Sequence, residues 1–433
     1  MGNLNVIILA GGISSRFWPL SEKNSYPFLG QTNIQIHAER FKRIRPSKVF
    51  VITNNDFNPN LSFTNRLVQK GSGMAGGVMT ALKAINQDEE ILVLNANDYY
   101  DNSLVKKFLD LRGVLRENNH SMVVGYQTQK YFPGGYLKLN QDSVTEIIEK
   151  PGEDNLPSNF VKIVFDYFPN AKNLLETIAY SKSDKDDLYE VAMTNMIKEG
   201  KTFKMLEYKG SWKTIKYPWQ VLDVMDFFLD KIDAQQISPN AQISDKSIIK
   251  GKVIIESGVK IMEGAIVNGP VFIGKNSIVA NNSLVRSSMV GENCVIGFST
   301  EVVRSYLKND IWLHSNYVGD SIFENNISLG SGSVTGNLRL DEQELAIEIK
   351  GEKIDTHRNR LGVIIGSNVR IGINASIMPC IKIGGGSFIG GGVLLDRDVP
   401  NNSFVKAKTS YEIRKNKFDI TKTSRENFRK EIK

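Results

Sequence analysis

Apolar residues along this chain fall into two unlike patterns. In the first half, short apolar runs alternate with amphipathic stretches. Val6-Ile7-Ile8-Leu9-Ala10 leads straight into Gly11-Gly12, and comparable runs lie at 49–53, 91–94 and 122–125. Short, continuous apolar runs bounded by turn residues predict strands buried on both faces. Between them, apolar positions recur at helical spacing over 36–43, 79–85 and 104–116, and 219–232 predicts a closing helix. Strands alternating with helices predict an α/β domain, a doubly wound and mostly parallel sheet with helices on both faces. Such sheets bind ligands beyond the carboxyl ends of their strands.

Past residue 250 the pattern changes. Ile255, Ile261, Val267, Ile273, Val279 and Val285 recur every six residues, beside a companion column Val253, Val259, Ala265 and Val271. The period returns as Ile365, Ile371, Ile377, Ile383 and Ile389, followed by Gly366, Gly372, Gly384 and Gly390. A period of six matches neither a helix nor a two-sided strand. It predicts a β-solenoid whose short strands each present inward residues and then turn a corner. Residues 338–361 interrupt it. There Leu345, Ile347 and Ile349 alternate with Ala346 and Glu348, and Lys350-Gly351-Glu352-Lys353 reads as a turn. The expectation is a β-hairpin leaving the solenoid at one corner, where long insertions often serve binding. The chain thus divides into an α/β domain over 1–235, a solenoid over 236–409 with its excursion, and a basic tail over 410–433.

Composition adds limits. None of the apolar runs in the 433 residues approaches the ~18 needed to cross a bilayer, and no secretion signal opens the chain. Cys294 and Cys380 make no disulfide framework and no metal spacing. The simplest compartment is the cytoplasm. Much of the net charge of +7 sits late, in Arg414, Lys415, Lys417, Lys422, Arg425, Arg429, Lys430 and Lys433. The ordinary reading of such a run is a solvated tail. It lacks interleaved aromatics and any reader motif, so neither nucleic acid nor membrane is an expected partner; phosphorylated small molecules suit a basic chain.

The stretch Leu9-Ala10-Gly11-Gly12-Ile13-Ser14-Ser15-Arg16-Phe17-Trp18-Pro19-Leu20-Ser21 is a glycine-containing loop after a strand, closing on an arginine. Its backbone N–H groups can cradle phosphates, and Arg16 adds a planar multi-donor cation. Further segments follow in order: Gly73-Met74-Ala75-Gly76, Asn95-Ala96-Asn97-Asp98, Gly135-Tyr136 and Glu149-Lys150-Pro151. Together they resemble the sugar-1-phosphate nucleotidylyltransferases over residues 1–232, a Rossmann-like fold. The resemblance implies nucleotide binding by Gly11, Gly12, Ser14, Arg16, Gln69 and Gly73, sugar-phosphate binding by Gly135, Glu149 and Lys150, and a magnesium ion at Asn97 and Asp98. It implies in-line attack of a sugar phosphate on the α-phosphorus of a nucleoside triphosphate. Departures from the family pattern are Ser14 for a glycine, Tyr26 for a lysine, Asn97 for the first metal aspartate and Thr214 for a second. Lys23 is the nearby candidate to replace the missing lysine, so the catalytic candidates here are Arg16 and Lys23.

Of the four histidines, His37, His120, His314 and His357, context singles out His314. Trp312-Leu313-His314-Ser315-Asn316-Tyr317-Val318-Gly319-Asp320, Gly330-Ser331-Gly332, Gly336-Asn337 and Val369-Arg370-Ile371-Gly372-Ile373-Asn374 resemble the acetyltransferase half of bifunctional N-acetylglucosamine-1-phosphate uridylyltransferase / glucosamine-1-phosphate acetyltransferases, above all the archaeal two-domain type. The resemblance covers residues 238–408 and makes the solenoid a left-handed parallel β-helix of hexapeptide repeats. Acetylating an amine needs a base near neutral pH, which histidine supplies. By resemblance His314 is that base, Tyr317 and Asn337 line the amino-sugar pocket, and Arg286 binds its phosphate. Where the bacterial enzymes have a phosphate-binding lysine stand Val303 and then Arg304, and the face each presents decides whether a cation reaches the pocket. Acetyl-CoA is the implied co-substrate, lying between solenoids of a homotrimer, with Lys406, Lys408 and Arg414 near its phosphates. The expected function therefore lies in nucleotide-sugar biosynthesis, of UDP-N-acetylglucosamine or a relative: making the nucleotide sugar, acetylating an amino-sugar phosphate, or both. The alternative is a regulatory or scaffolding protein that binds nucleotide sugar at a degenerate first site.

Overall fold

The computed structural model describes residues 3–12, 14–44, 46–54, 57–59, 61, 63–408, 410–417, 425 and 429–430. Ile13 of the glycine loop and Lys422 and Lys433 of the basic tail lie outside them.

In the first domain a nine-stranded sheet runs Asn65–Val68, Lys48–Thr53, Leu4–Ala10, Glu90–Asn95, Phe160–Phe168, Ser121–Gln127, Phe203–Tyr208, Ser143–Glu149, Gly135–Asn140. Strand alternation sorts its side chains into two layers. Ile7 and Leu9 face one core with helices Gly73–Leu82, Ala171–Tyr180 and Leu188–Lys198. Val6, Ile8 and Ala10 face the other, with helices Asn33–Lys42 and Asn102–Glu117. The sheet departs from the mostly parallel expectation. Phe160–Phe168 runs antiparallel to both of its central neighbours, and Ser143–Glu149 is antiparallel to Gly135–Asn140 in a hairpin. The helix expected from residue 79 instead begins at Gly73. Apart from Met74 its first turns are glycine and alanine, which give a periodicity argument little apolar stripe to find.

Helix Gln220–Leu229 closes the domain, and the solenoid's first strand is Gln236–Ile237. Three parallel sheets of eight, nine and eight strands form its faces. Where the hexads are intact, Ile255 stacks on Ile273 and Ile261 on Val279, which is why the apolar column recurs every six residues. The period fades after Val285 because the coils shorten, from Ile255 stacking on Ile273 to Ile273 on Val290 and Val302 on Val318, so the apolar column continues at uneven spacing; serines also occupy part of the companion column. Ser277, Ser283, Ser305 and Ser321 are fully buried or nearly so, and their hydroxyls donate to backbone carbonyls of the same or the next coil. Many corners use left-handed backbone at short polar residues such as Asn276, Asn282, Asn326 and Asn374, the non-glycine types that tolerate it best. The excursion is a hairpin of Ala346–Ile349 and Glu352–Asp355. Its two-residue turn, Lys350-Gly351, has both φ angles positive, the geometry that matches strand twist and makes Gly351 the natural second residue.

The two domains share one apolar core. Phe17, Leu20, Tyr26 and Phe28 from the loops, Trp219, Val221, Leu222, Val224, Met225, Phe227 and Leu229 from the closing helix and its cap, Phe272, Met289, Tyr306, Ile322 and Ile364 from one solenoid face, and Leu345, Ile347 and Ile349 from the hairpin segment are buried together. Inside it lies a carboxylate, Glu324, 2% exposed. It accepts from Tyr26 Oη, from Ser21 N and Oγ at 2.9 and 2.6 Å and from Ser367 Oγ at 2.8 Å, and pairs with Lys308 at 3.9 Å.

Candidate functional site

The glycine loop sits where the first parallel strand ends. Gln69 packs so tightly on Gly11 that a Cβ there would lie 2.1 Å from its amide oxygen; only glycine permits this approach. The same amide donates to Gly73 O at 2.9 Å and Gly71 O at 3.1 Å. Gly11, Gln69 and Gly73 are thus brought together. Gly12 and Arg16 are exposed beside them. Ser14 is turned toward the following segment, its hydroxyl donating to Glu22 Oε1 and accepting from Lys23 N.

The next strand end supplies Asp98, buried, accepting from Trp212 Nε1 at 3.1 Å and from the Thr214 hydroxyl. Antiparallel pairing of Asp98 with Thr214 fixes this geometry. Burial pushes the Asp98 carboxyl up, against the pull of those donors and of Lys216 and Lys162. Lys23 is half-buried, and burial draws its ammonium down while Glu22 and Asp98 hold it up. It therefore lies in the field of Asp98, whereas Tyr26, at the position of the family's lysine, is turned wholly into the interdomain core. Asn97 is half-buried next to Asp98. One carboxylate and one amide are a sparse magnesium set, yet magnesium commonly takes one or two protein carboxylates together with substrate phosphates. The residues fit the ion on those terms. Among the described residues, three possible metal ligands converge only at Glu344, Asp355 and His357, exposed on the hairpin.

On the opposite wall, Glu149 pairs in register with Gly135, and a Cβ on Gly135 would lie 3.3 Å from Glu149 Oε2. Lys150 extends beside it, 3.2 Å from Glu149 Oε1. The motifs do not reveal four charges behind this wall, three of them buried and Lys216 half-buried. Lys162 and Asp166 pair at 2.7 Å. The Glu190 carboxyl is pushed up to about 7 by burial. Lys216 donates to Pro133 O at 2.6 Å, and burial pulls its ammonium down to about 8 against the charges of Asp98 and Glu149. For Lys162, Asp166 and Glu190 a charge inside an otherwise apolar stretch is the available signal; Lys216 carries none.

On the solenoid, His314 follows strand Ile311–Leu313 and is exposed, its backbone N–H held by Asn316 Oδ1 at 2.5 Å. Asn337 Nδ2 donates to Tyr317 Oη at 3.2 Å and to Asp320, so the two proposed pocket residues touch. Val303 is fully buried, and Arg304 is the cation that emerges, forking onto Asp320 with two bonds of 2.7 Å. Arg286 pairs with Glu301 at 3.2 Å. A cavity of about 570 Å³ opens beside Arg304 and Asp320, walled by His357, Arg358 and Arg360 of the excursion.

Residues 5–215 match the nucleotidyl transferase family, and residues 362–397 match the bacterial transferase hexapeptide, six repeats. The bifunctional protein GlmU of Methanococcus maripaludis (strain C7) is 34% identical over 429 residues, covering 95% of this chain and 99% of that protein. GlmU of Methanocaldococcus jannaschii is 31% identical over 428 residues, 95% and 100% of the two chains. The bifunctional sugar-1-phosphate nucleotidylyltransferase/acetyltransferase of Sulfurisphaera tokodaii is 31% identical over 412 residues, covering 93% and 100%. No helix among the described residues is long and apolar enough to cross a membrane.

Proposed function

The chain belongs to the family of bifunctional sugar-1-phosphate nucleotidylyltransferase/acetyltransferases, and from that premise we propose that it acetylates an amino-sugar 1-phosphate on the solenoid and joins the product to a nucleotide in the first domain. The nucleotide sugar would be UDP-N-acetylglucosamine or a close relative, made in the cytoplasm. The observation that carries the reading is the pair of lysines that link the parts: Lys23 lies in the field of both Asp98 and Arg16 of the glycine loop, and Lys216 in the field of Asp98, Glu149, Lys150 and Lys23.

In the first site the loop amides and Arg16 receive the triphosphate, and Gly135, Glu149 and Lys150 orient the sugar phosphate. A phosphate oxygen of the sugar attacks the α-phosphorus in line, and pyrophosphate leaves. Little covalent help is needed; positioning and neutralisation of charge do the catalysis. Lys23 takes the neutralising place that Tyr26 has vacated. Asp98 and Asn97 would hold a magnesium ion, which supplies further charge neutralisation on the phosphates. In the second site the sugar amine attacks the acetyl carbonyl of acetyl-CoA, His314 accepts the proton lost from nitrogen and passes it to the departing thiolate, and the coenzyme leaves as thiol. Tyr317 and Asn337 position the sugar, and Arg286 meets its phosphate, with Arg304 close to the pocket in place of the lysine.

A homotrimer fits the solenoid surface. Trp312, which precedes the base by two residues, is 54% exposed, and Phe298, Ile373, Phe388 and Phe404 are also exposed on the solenoid. Apolar side chains in such number on one rod mark a surface made for burial against another chain. Light scattering at micromolar concentration, with free thiol release measured on the same sample, tests the second activity. The expected result is a trimer mass and thiol release that requires both acetyl-CoA and glucosamine 1-phosphate or a related amino-sugar phosphate. A monomer that releases no thiol with any such acceptor contradicts it.

A further inference from the structure

The solenoid does more than sit beside the glycine loop; it grips the loop's second half at several points. Trp18 Nε1 donates to Asn401 Oδ1 at 3.0 Å. Gly366 approaches Pro19 so closely that a Cβ would lie 2.7 Å from its carbonyl oxygen. Ser21 donates twice to Glu324. Lys382 stacks over the Trp18 ring at 5.1 Å while donating to Glu348 O of the hairpin and pairing with Asp398. The hairpin is seated by Ile347 and Ile349, buried in the same core as Phe17 and Leu20. This places the turn residue Lys350 over the loop, with its Nζ donating to Ser15 Oγ at 3.0 Å. Ser15 and Arg16 are both exposed at that point, and no carboxylate among the described residues pairs with Lys350. A lysine held by apolar anchors at its strand's base, with its ammonium unneutralised against a phosphate-cradling loop, is arranged to meet an anion.

We propose that Lys350 is a triphosphate ligand of the first site, carried to the loop by the solenoid hairpin, so that residues of both domains complete one nucleotide site. The inference rests on the reading of the glycine loop as the nucleotide cradle. It also gives the excursion a purpose: the hairpin brings a second cation, beside Lys23, to a site whose expected lysine has become Tyr26. Being at a two-residue turn, Lys350 would move with the hairpin, and nucleotide affinity would report on domain docking.

The test uses full-length protein and calorimetric titration with the magnesium complexes of UTP, dTTP, CTP, ATP and GTP, the tightest binder serving for the variants. Lys350→Ala is expected to weaken it roughly tenfold, the loss of one charge-assisted hydrogen bond. Lys350→Glu should weaken it further, and Lys350→Arg should stay within about threefold of the parent because it keeps the charge. Melting of the nucleotide-free variants should match the parent. Equal triphosphate affinity in parent, Lys350→Ala and Lys350→Glu would overturn the proposal while leaving the nucleotide cradle standing. Weaker binding accompanied by lower melting, with Lys350→Arg no better than Lys350→Ala, would mark a merely structural lysine and overturn it as well. A parent protein that binds none of the five triphosphates would remove the cradle reading itself, and the proposal with it.

Discussion

His314→Ala is expected to lower kcat for acetyl transfer roughly a hundred- to ten-thousand-fold, the usual contribution of a positioned general base, with the fold untouched. The side chain is exposed, and what fixes the local turn is the backbone: His314 N–H to Asn316 Oδ1, with Asn316 Nδ2 donating to Gly330 O at 2.9 Å and Ser333 O at 3.0 Å. Leu313 before it and Asn316 after it are buried. Truncating the ring therefore removes no packing, and the cost in stability should stay within about 0.5 kcal/mol, as for surface positions generally. A structural histidine would behave in the opposite way, losing melting temperature or assembly and losing activity only in proportion to folded protein. Measuring kcat, melting and mass on one preparation separates the two. Full activity in a well-folded variant would take His314 out of the mechanism.

Glu324→Ala should destabilise the docked pair of domains by about 3–5 kcal/mol, because it leaves the largely buried Lys308 without its counter-charge and strips an acceptor from Tyr26, Ser21 and Ser367. Burial pushes the Glu324 carboxyl up, but Lys308 and the Ser21 and Tyr26 donors outweigh burial and hold it below the usual range. A carboxyl depressed on folding stabilises fully above its unfolded value of about 4.3, and that stabilisation is lost as pH falls through the lower folded value. The parent should thus lose melting temperature on acidification below about pH 4 more steeply than Glu324→Gln. Tyr26→Lys, which restores the family residue, should fail to help the first site and should instead destabilise, since its ammonium would enter the core where Lys308 already lies 4.4 Å from the Tyr26 ring. Melting curves across pH for the three variants decide this. A Glu324→Ala protein that melts like the parent would show that the buried carboxylate does not hold the domains together.

Those two regions differ in how far they could be read from the chain. Solenoid, corner hairpin and flanking strands follow from periodicity, since one inward column is apolar wherever the hexads are intact, even where Ser277 and Ser283 enter its companion. Strand Phe160–Phe168 was missed because Lys162 and Asp166 interrupt its apolar run, and only folding shows that they neutralise each other at 2.7 Å. The glycine loop, Asp98, Glu149 and the His314 segment stand out as motifs, because local backbone and short spacing define them. Tyr26 does not. As a one-residue departure it looks like a lost catalytic lysine; its role is set by Glu324, almost three hundred positions away, and no local pattern links them. Lys216 and Lys350 escaped for the same reason, both being brought to the first site by tertiary contacts.

The claim of two transferase sites in one chain is tested most directly at the site with the departures. Purified full-length protein with Mg²⁺ is given a panel of nucleoside triphosphates and sugar 1-phosphates, N-acetylated ones included, and pyrophosphate release is followed. At least one pair should turn over at the rates typical of enzymes, about 1 to 1000 per second, with release abolished by omitting either substrate. No pyrophosphate from any pair, in protein that still binds triphosphate, would contradict the account and leave the first domain a nucleotide-binding scaffold.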